Sequence, residues 1–91
     1  MAKQYDVVIT GAGHNGLTVG CYLANAGFDV CLVERSDMVG GGVISKELTA
    51  PGFITDPCST IHVIAQYSPI IQNDELGLIS KYGLKYLYPE V

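Results

Sequence analysis

The residues with the clearest chemical purpose are three glycines near the start of the chain, which form the pattern G-x-G-x-x-G directly after the apolar run VVIT. In a dinucleotide-binding turn the first glycine allows a tight bend and the second lets the main chain approach a pyrophosphate. The third permits close contact between a helix and a strand. N–H groups at the start of the following helix, together with its dipole, favour phosphate. The pattern therefore predicts a phosphate site formed by Gly11, Ala12, Gly13, His14, Asn15 and Gly16.

An acidic residue follows at the spacing that a bound ribose requires. Glu34 lies 23 positions after Gly11, close to the roughly 20 that place a carboxylate on the ribose hydroxyls. A carboxylate accepts hydrogen bonds from both hydroxyls and repels a 2′-phosphate, so NADP is disfavoured, although the neighbouring Arg35 would favour it. The alternatives are a tight turn that binds no ligand and a solvated acid at a strand end.

These residues need a strand, a helix and a second strand to position them. Residues 5–10 are largely β-branched and apolar, as expected for a strand buried on both faces of a parallel sheet. From Asn15 to Ala26 apolar residues recur at helical spacing, and Gly27 is a C-terminal stop. Residues 29–34 form a second apolar run. The order predicts a βαβ unit, and hence a partial α/β, Rossmann-like fold.

The rest of the chain is less regular. The triple glycine at 40–42 and the Ala-Pro-Gly run at 50–52 predict a glycine-rich loop with one short strand at 43–48. Ser68 and Pro69 predict a helix start, with serine as the cap. A second helix is predicted from the Asn-Asp-Glu run at 73–75 to Gly83, followed by an exposed or edge strand at 84–88 and Pro89.

Composition limits the classes of function. With 91 residues the chain holds at most one domain, and 48% hydrophobic against 15% charged residues is rich for that size, so some apolar surface is expected to meet another partner. The net charge is −4, and only five residues are Lys or Arg, with no basic run. Clustered positive charge is the footprint of nucleic-acid binding, which is therefore not expected.

The cysteines and the apolar runs bear on compartment. Cys21, Cys31 and Cys58 are odd in number and lack C-x-x-C spacing, and the first two sit in apolar runs where buried thiols are expected. No metal site is predicted. Polar and glycine residues interrupt the apolar segment at 7–24, which argues against a signal peptide or a membrane span. We therefore expect a cytoplasmic location, with peripheral contact to a membrane as a further option.

The run that starts at Glu34-Arg35 and ends in a glycine pair carries a family resemblance. It resembles the E-R-x-x-x-x-G-G extension of glutathione-reductase-type flavoproteins, and within them the phytoene-dehydrogenase-related oxidoreductases, which include carotenoid desaturases and, more distantly, amine oxidases. The resemblance covers nearly the whole chain. Its blocks are residues 5–16, 34–45, 51–53, 56–62, 82–84 and 89–90.

The resemblance implies FAD as the cofactor and further contacts to it. Backbone N–H groups at Gly40, Gly41, Gly42 and Val43 would face the FAD. Many relatives carry an Asp-x-Gly segment beside the isoalloxazine ring at the place of residues 56–58, and this chain departs from that pattern with Cys58 in place of the glycine. His62 would lie near the ring or the substrate, or, as histidine usage favours, be a packed, hydrogen-bonded residue.

The implied function is FAD binding by the N-terminal part of a flavin-dependent oxidoreductase that moves a hydride from a C–H or C–N bond of a lipophilic or amine substrate to the flavin. Residues 1–91 are expected to be an incomplete Rossmann-like domain, inactive alone, either a fragment or a small subunit that needs a larger partner. No catalytic residue is identified. The alternatives are an NAD-binding dehydrogenase fragment and a non-catalytic nucleotide-binding or interaction subunit.

Overall fold

The computed structural model describes residues 3–59, 61–62 and 64–88. It divides into two compact units, one reaching to Ile61 and one beginning at His62. The first unit contains strands β1 (Val7–Thr10), β2 (Val30–Val33), β3 (Lys46–Glu47) and β4 (Ile54–Thr55), with helix α1 (His14–Asn25). The second contains a 3₁₀ turn (Ala65–Tyr67) and the short helix α2 (Pro69–Gln72).

A parallel βαβ unit forms the first part of the chain. Strands β1 and β2 pair in parallel from Val7 opposite Val30 to Thr10 opposite Val33. The main chain of Asp29 accepts from the N–H of Asp6, whose carboxylate in turn accepts from the N–H of Asp29 at 2.8 Å. The predicted strand, helix and strand are therefore confirmed, with boundaries within one or two residues of those expected.

Helix α1 ends where the sequence predicts. Gly27 adopts a φ of +101°, which glycine tolerates without strain. Its N–H donates to the carbonyl of Ala24 and that of Phe28 donates to Leu23, both at 3.1 Å, the pair of bonds that defines a Schellman motif. On the inner face Gly20 is buried, and a methyl group there would lie 3.1 Å from the side chain of Leu32.

The opposite face of this small sheet is uncovered. Val8 is 60% exposed and Val33 is 51% exposed, so the prediction that the first strand is buried on both faces is wrong for this chain. Ala12, at 1% exposure, is the one buried hydrophobic residue among those described. The other large apolar side chains that are more than half exposed among the described residues are Val19, Val39, Leu48, Phe53, Ile54, Ile61, Ile64, Tyr67, Tyr82, Leu87 and Tyr88.

The predicted strand at 43–48 is reduced to two residues. Strand β3 pairs in antiparallel fashion with β4, with Lys46 opposite Thr55 and Glu47 opposite Ile54. The sequence did not predict β4, because its two residues are too few to show an alternating pattern. Each strand has two residues, so the connection at 48–53 makes up most of the residues between Lys46 and Thr55.

In the second unit the serine cap and the helix start at Pro69 are confirmed, whereas the second helix predicted from 73–75 to Gly83 is not formed. The Ser68 hydroxyl accepts from the N–H of Ile70 at 3.2 Å, but α2 ends after four residues. Between Asn73 and Gly83 the chain forms turns, because the carboxylate of Asp74 accepts from the N–H groups of Ile79 and Ser80 and takes the place of a helical ladder. Asp74 has a φ of +50°.

The predicted strand at 84–88 has no ladder partner within the described part of the chain. Its residue Tyr86 instead places its hydroxyl 3.2 Å from Nδ1 of His62, with the two rings edge to face. Pro89, predicted to follow this strand, lies outside the described residues, as does Thr60 of the block at 56–62. Of the helices described, none is long and apolar enough to cross a membrane.

Candidate dinucleotide-binding site

Two of the three motif glycines are required by the fold itself. Gly11 has a φ of +96°, a conformation that side chains disfavour, and its N–H donates to the carbonyl of Val33 at 2.7 Å. A Cβ atom at Gly16 would lie 2.0 Å from the carbonyl oxygen of Gly11, which is an impossible contact. Gly16 therefore allows the first turn of α1 to touch the end of β1, as the motif predicts.

Gly13 is different from both. Its φ of −81° is open to every residue, and a Cβ atom there would meet its nearest neighbour, the Cα of Gly41, at 3.9 Å, an ordinary van der Waals distance. The fold therefore has room for a methyl group at this position. The absence of a side chain at Gly13 leaves bare main chain at the surface where the helix begins.

The first turn of α1 presents unbonded donors. Gly13 is the N-cap and no side chain caps the helix. Its carbonyl accepts from the N–H of Leu17 at 2.9 Å. Within the described residues, the N–H groups of Gly13, His14, Asn15 and Gly16 have no backbone acceptor. Four successive donors at the positive end of the helix dipole can bind an anionic group.

Glu34 is held at the end of β2 by two backbone donors. One carboxylate oxygen accepts from the N–H of Ala12 at 3.0 Å, and the other accepts from the N–H of Ser36 at 2.9 Å. These hydrogen bonds, that of Ala12 first, lower the pKa of Glu34 below its ordinary value. The two hydrogen bonds thus favour the charged form of the acid and hold it beside the glycine turn. Because a carboxylate has about four acceptor positions, these two bonds leave capacity for hydroxyl groups.

The glycine turn at 40–43, defined by Gly40, Gly41, Gly42 and Val43, is hydrogen-bonded to the same residue, Ala12. The N–H of Gly40 donates to the carbonyl of Ala12 at 2.7 Å, and the N–H of Val43 donates to the carbonyl of Gly40 at 3.0 Å. Gly40 has a φ of +118°, and a Cβ atom there would lie 2.6 Å from the carbonyl oxygen of Val43. Ala12 is therefore hydrogen-bonded to Glu34 through its N–H and to Gly40 through its carbonyl.

These contacts divide the four residues of the glycine turn into two whose N–H groups are hydrogen-bonded and two whose N–H groups are not, among the described residues. The N–H groups of Gly40 and Val43 are already bonded within the protein, whereas those of Gly41 and Gly42 have no acceptor among the described residues. Gly41 has a φ of +61° and faces the Cα of Gly13. The two stretches with unbonded main-chain donors are therefore next to each other, although they are more than 20 positions apart in sequence.

An open groove lies beyond the carboxyl ends of the two parallel strands. It has a volume of about 380 Å³ and is lined by Thr10, Gly11, Val33, Glu34 and Arg35. This is the edge at which open α/β sheets bind ligands. The sequence predicts Gly11, Glu34 and Arg35 as site residues but not Thr10 and Val33, which are recognisable only as the last residues of the two strands.

The remaining candidates are placed as follows. The side chain of His14 is exposed, and its carbonyl accepts from the hydroxyl of Thr18 at 2.6 Å. His62, in the second unit, is partly buried and hydrogen-bonded, which agrees with the alternative of a packed residue.

Cys58 is exposed, and its Cβ lies 3.6 Å from the position that a Cβ of Gly42 would take. Cys21 is exposed as well, so the expectation that its thiol is buried is wrong.

A parallel βαβ unit with an open glycine turn and an acid at the end of its second strand defines a Rossmann-type dinucleotide-binding segment. A family model described as "NAD(P)-binding Rossmann-like domain" matches residues 9–73. The chain belongs to this family. The predicted Rossmann-like α/β class is confirmed at that level.

The chain is similar to parts of several known proteins. It is 42% identical to a limonene dehydrogenase subunit of Castellaniella defragrans over 89 residues, which is 98% of this chain and 15% of that protein. It is 37% identical to pyridine nucleotide-disulfide oxidoreductase domain-containing protein 2 of Rattus norvegicus over 85 residues, 93% of this chain and 14% of that protein. A carotenoid 3,4-desaturase of Haloarcula japonica is 43% identical over 51 residues, 56% of this chain and 10% of that protein.

The chain therefore spans about one seventh of the length of the first two of these relatives. No solved structure matches it.

Proposed function

We propose that the chain binds FAD as the dinucleotide-binding segment of a flavin-dependent oxidoreductase. The observation that carries this proposal is Gly13. Its backbone conformation and its neighbours both tolerate a side chain, so the glycine is better explained by a ligand that approaches the main chain there. The adjacent N–H groups at the start of α1 are suited to a pyrophosphate.

FAD is favoured over NAD by the glycine turn at 40–43. A site for NAD needs the first turn and the acid only, whereas here a second turn is hydrogen-bonded to Ala12 and brings Gly41, one of two residues with unbonded N–H groups, next to Gly13. We assign the first turn to the pyrophosphate and Glu34 to the ribose hydroxyls. Arg35, which lines the groove, lies where it can contact the adenosine half.

The names of the relatives support an oxidoreductase. The limonene dehydrogenase subunit and the carotenoid 3,4-desaturase are named for the oxidation of lipophilic hydrocarbons or carotenoids. We infer that the substrate is lipophilic, with an amine as the alternative class. When bound, FAD would accept a hydride, and this chain's residues would hold and orient the dinucleotide.

The chain is proposed to act together with further polypeptide. It covers only 15% of the limonene dehydrogenase subunit, and most of its large apolar side chains are exposed. We propose that residues 1–91 are the N-terminal part of a FAD-binding domain, which a larger partner or the remainder of the enzyme completes. On this proposal the chain does not catalyse alone and works in the cytoplasm.

The test is a direct comparison of cofactors. The full chain, together with any polypeptide that copurifies with it, is titrated separately with FAD, NAD⁺ and NADP⁺, and binding is followed by flavin fluorescence or calorimetry. We expect FAD to bind most tightly and NADP⁺ most weakly. Tighter binding of NAD⁺ than of FAD would replace the proposal with an NAD-dependent dehydrogenase segment, an interpretation that the description of the matching family also supports.

The variant Gly13→Val tests the carrying observation. The branched side chain would occupy the space assigned to the pyrophosphate, so we expect FAD binding to fall by at least about a hundredfold, since several charge-assisted hydrogen bonds would be lost together. Far-UV circular dichroism should remain that of the unmodified chain. Ala50→Val is the control, since it places the same branched side chain at an exposed position whose φ is not positive. Equal FAD affinity in the two variants would contradict the assignment.

A further inference from the structure

We propose that the hydrogen bond from Ser45 to Asp56 fixes the geometry of the glycine turn at 40–43, so that Ser45 and Asp56 are positioning residues for the dinucleotide. The predicted effect on FAD binding rests on the proposed function. The predicted effect on the structure of the glycine turn is independent of it. Neither side chain belongs to the phosphate or ribose site described above.

The hydrogen bond closes the base of the segment that contains β3 and β4. The hydroxyl of Ser45 donates to a carboxylate oxygen of Asp56. Lys46 pairs with Thr55, so Ser45 and Asp56 are the next two residues along the same antiparallel pair. This side-chain bond, named here the Ser45–Asp56 clasp, therefore extends a backbone ladder of only two residue pairs. A ladder that short is marginal by itself in water.

The clasp lies directly after the glycine turn. Ser45 follows Val43 by two residues, and on the returning side Cys58 follows Asp56 by two residues. The Cβ of Cys58 is 3.6 Å from the position of a Cβ at Gly42. After Gly42 the chain passes through β3 and β4 and returns to contact Gly42 at Cys58. The clasp joins the segment that leaves the glycine turn to the segment that returns to it.

The glycine turn needs support on both sides. On its N-terminal side, the N–H of Gly40 donates to the carbonyl of Ala12. On its C-terminal side, glycines at 41 and 42 offer no side chain to pack, and an ordered glycine loses more conformational freedom than any other residue. The clasp supplies the second attachment. The directions of the unbonded N–H groups of Gly41 and Gly42 therefore depend on Ser45 and Asp56.

The first measurement uses the chain without a ligand. Amide hydrogen exchange is followed at Gly40 and Val43, whose N–H groups close the turn, with the N–H of Gly11 as the internal reference in the βαβ unit. In Ser45→Ala and in Asp56→Ala we expect exchange at Gly40 and Val43 to accelerate at least about tenfold, as loss of the bond between these two side chains implies, and exchange at Gly11 to stay unchanged. Thr49→Ala and Glu47→Gln, at exposed positions of the same segment, should leave all three rates unchanged.

The second measurement is the dissociation constant for FAD. We expect each clasp variant to weaken binding at least about tenfold and the double variant Ser45→Ala, Asp56→Ala to be no worse than Asp56→Ala, because that single substitution already removes the bond to Ser45. Ser45→Thr retains the hydroxyl, so its affinity for FAD should equal that of the unmodified chain. If Ser45 acted only by packing, the hydroxyl would not matter in this way. Additive effects, or no rescue by threonine, would overturn the positioning role.

The two results separate the two proposals. If the unmodified chain does not bind FAD, the proposed function fails, and the exchange rates still decide whether the clasp fixes the turn. If exchange at Gly40 and Val43 is the same in Ser45→Ala as in Thr49→Ala, the clasp does not hold the turn, whatever the affinity for FAD.

Discussion

A methyl group added at Gly16 would lie 2.0 Å from the carbonyl oxygen of Gly11, whereas one added at Gly13 would lie 3.9 Å from its nearest neighbour. The two positions belong to one motif, yet packing requires only the first to be glycine. The site consists mainly of main-chain groups, which are accessible because the glycines carry no side chains. Glu34 is the exception, since its carboxylate binds the N–H groups of Ala12 and Ser36.

The contrast between these glycines predicts different costs in stability. Gly16→Ala should lower the free energy of unfolding by about 1–3 kcal/mol, the usual cost of forcing a group into a filled space. Gly13→Ala should lower it by less than about 1 kcal/mol, since only its role as N-cap changes. Urea unfolding followed by circular dichroism measures both. Equal losses in the two variants would show that Gly16 does not pack against β1 as described.

Glu34 predicts a dependence of stability on acid. Backbone hydrogen bonds from Ala12 and Ser36 lower its pKa in the folded state, so the folded chain releases this proton more readily than the unfolded chain does. The stabilisation is complete above the ordinary glutamate pKa of about 4.3, and it is lost as the pH falls through the lowered folded-state pKa.

Glu34→Gln should therefore flatten the loss of stability in that acidic range. The measurement is urea unfolding of the variant at a series of pH values from about 6 downward, the range that the linkage relation covers. Asp37→Asn, the same type of change at an exposed acid that makes none of these bonds, is the control. Some acid dependence should persist in every variant, because the hydroxyl of Ser80 and the amide N–H of Ile79 lower the pKa of Asp74 as well.

Among the elements, the glycine turn at 40–43 and the end of β2 are both hydrogen-bonded to a single residue, Ala12, which comes just before helix α1. Ala12 gives its N–H to Glu34 and receives the N–H of Gly40 at its carbonyl. The end of β2, the start of α1 and the glycine turn are thereby joined without any large side chain in the contact. This arrangement explains how two glycine-rich stretches distant in sequence present their free donors side by side.

Gly40→Ala tests that junction. Both Gly40 and Gly52 have positive φ, at +118° and +86°, so alanine at either position carries a backbone penalty. Only at position 40 would the new Cβ also collide, 2.6 Å from the carbonyl oxygen of Val43. We expect Gly40→Ala to destabilise the chain by about 1–3 kcal/mol more than Gly52→Ala does, and to abolish protection of the Gly40 amide from hydrogen exchange. Equal effects of both variants would contradict the junction.

At the scale of the whole molecule, the described part of the chain buries only one hydrophobic residue, Ala12. Parallel sheets are normally covered on both faces, yet β1 and β2 carry α1 on one face, and Val8 and Val33 are largely exposed on the strands. Contiguous exposed apolar surface marks an interaction site or a liability to aggregation. Together with the small share of its relatives that the chain spans, this surface supports the proposed completion by further polypeptide.

Val8→Asp tests whether that surface is an interface. The side chain is already 60% exposed, so we expect the unfolding free energy of the chain alone to change by less than about 1 kcal/mol. Association with the completing polypeptide, measured by copurification and calorimetry, should fall by at least about tenfold, because a charge would be buried without a partner. Gln4→Asp adds the same charge at another exposed position. If both variants associate equally well, Val8 lies outside the interface.

The sequence determined the βαβ unit, because its signals are local. The β-branched run before Gly11, the helical spacing after it and the stop at Gly27 act within a few residues of each other, and the Schellman bonds at Leu23 and Ala24 follow from that glycine. The dinucleotide motif and its acid could be recognised for the same reason, since the turn and the strand end fix their own geometry. The Rossmann-like class was predictable on this basis.

Only the tertiary structure decided what depends on contacts between distant residues. The helix predicted after Asn73 gave way to turns because the Asp74 carboxylate competes for the amide donors of Ile79 and Ser80. The pairing of β3 with β4 and the clasp between Ser45 and Asp56 leave no periodic trace in so few residues. Likewise, which of the four N–H groups at 40–43 stay unbonded is set by the docking of Gly40 on Ala12, a contact across 28 positions of the chain.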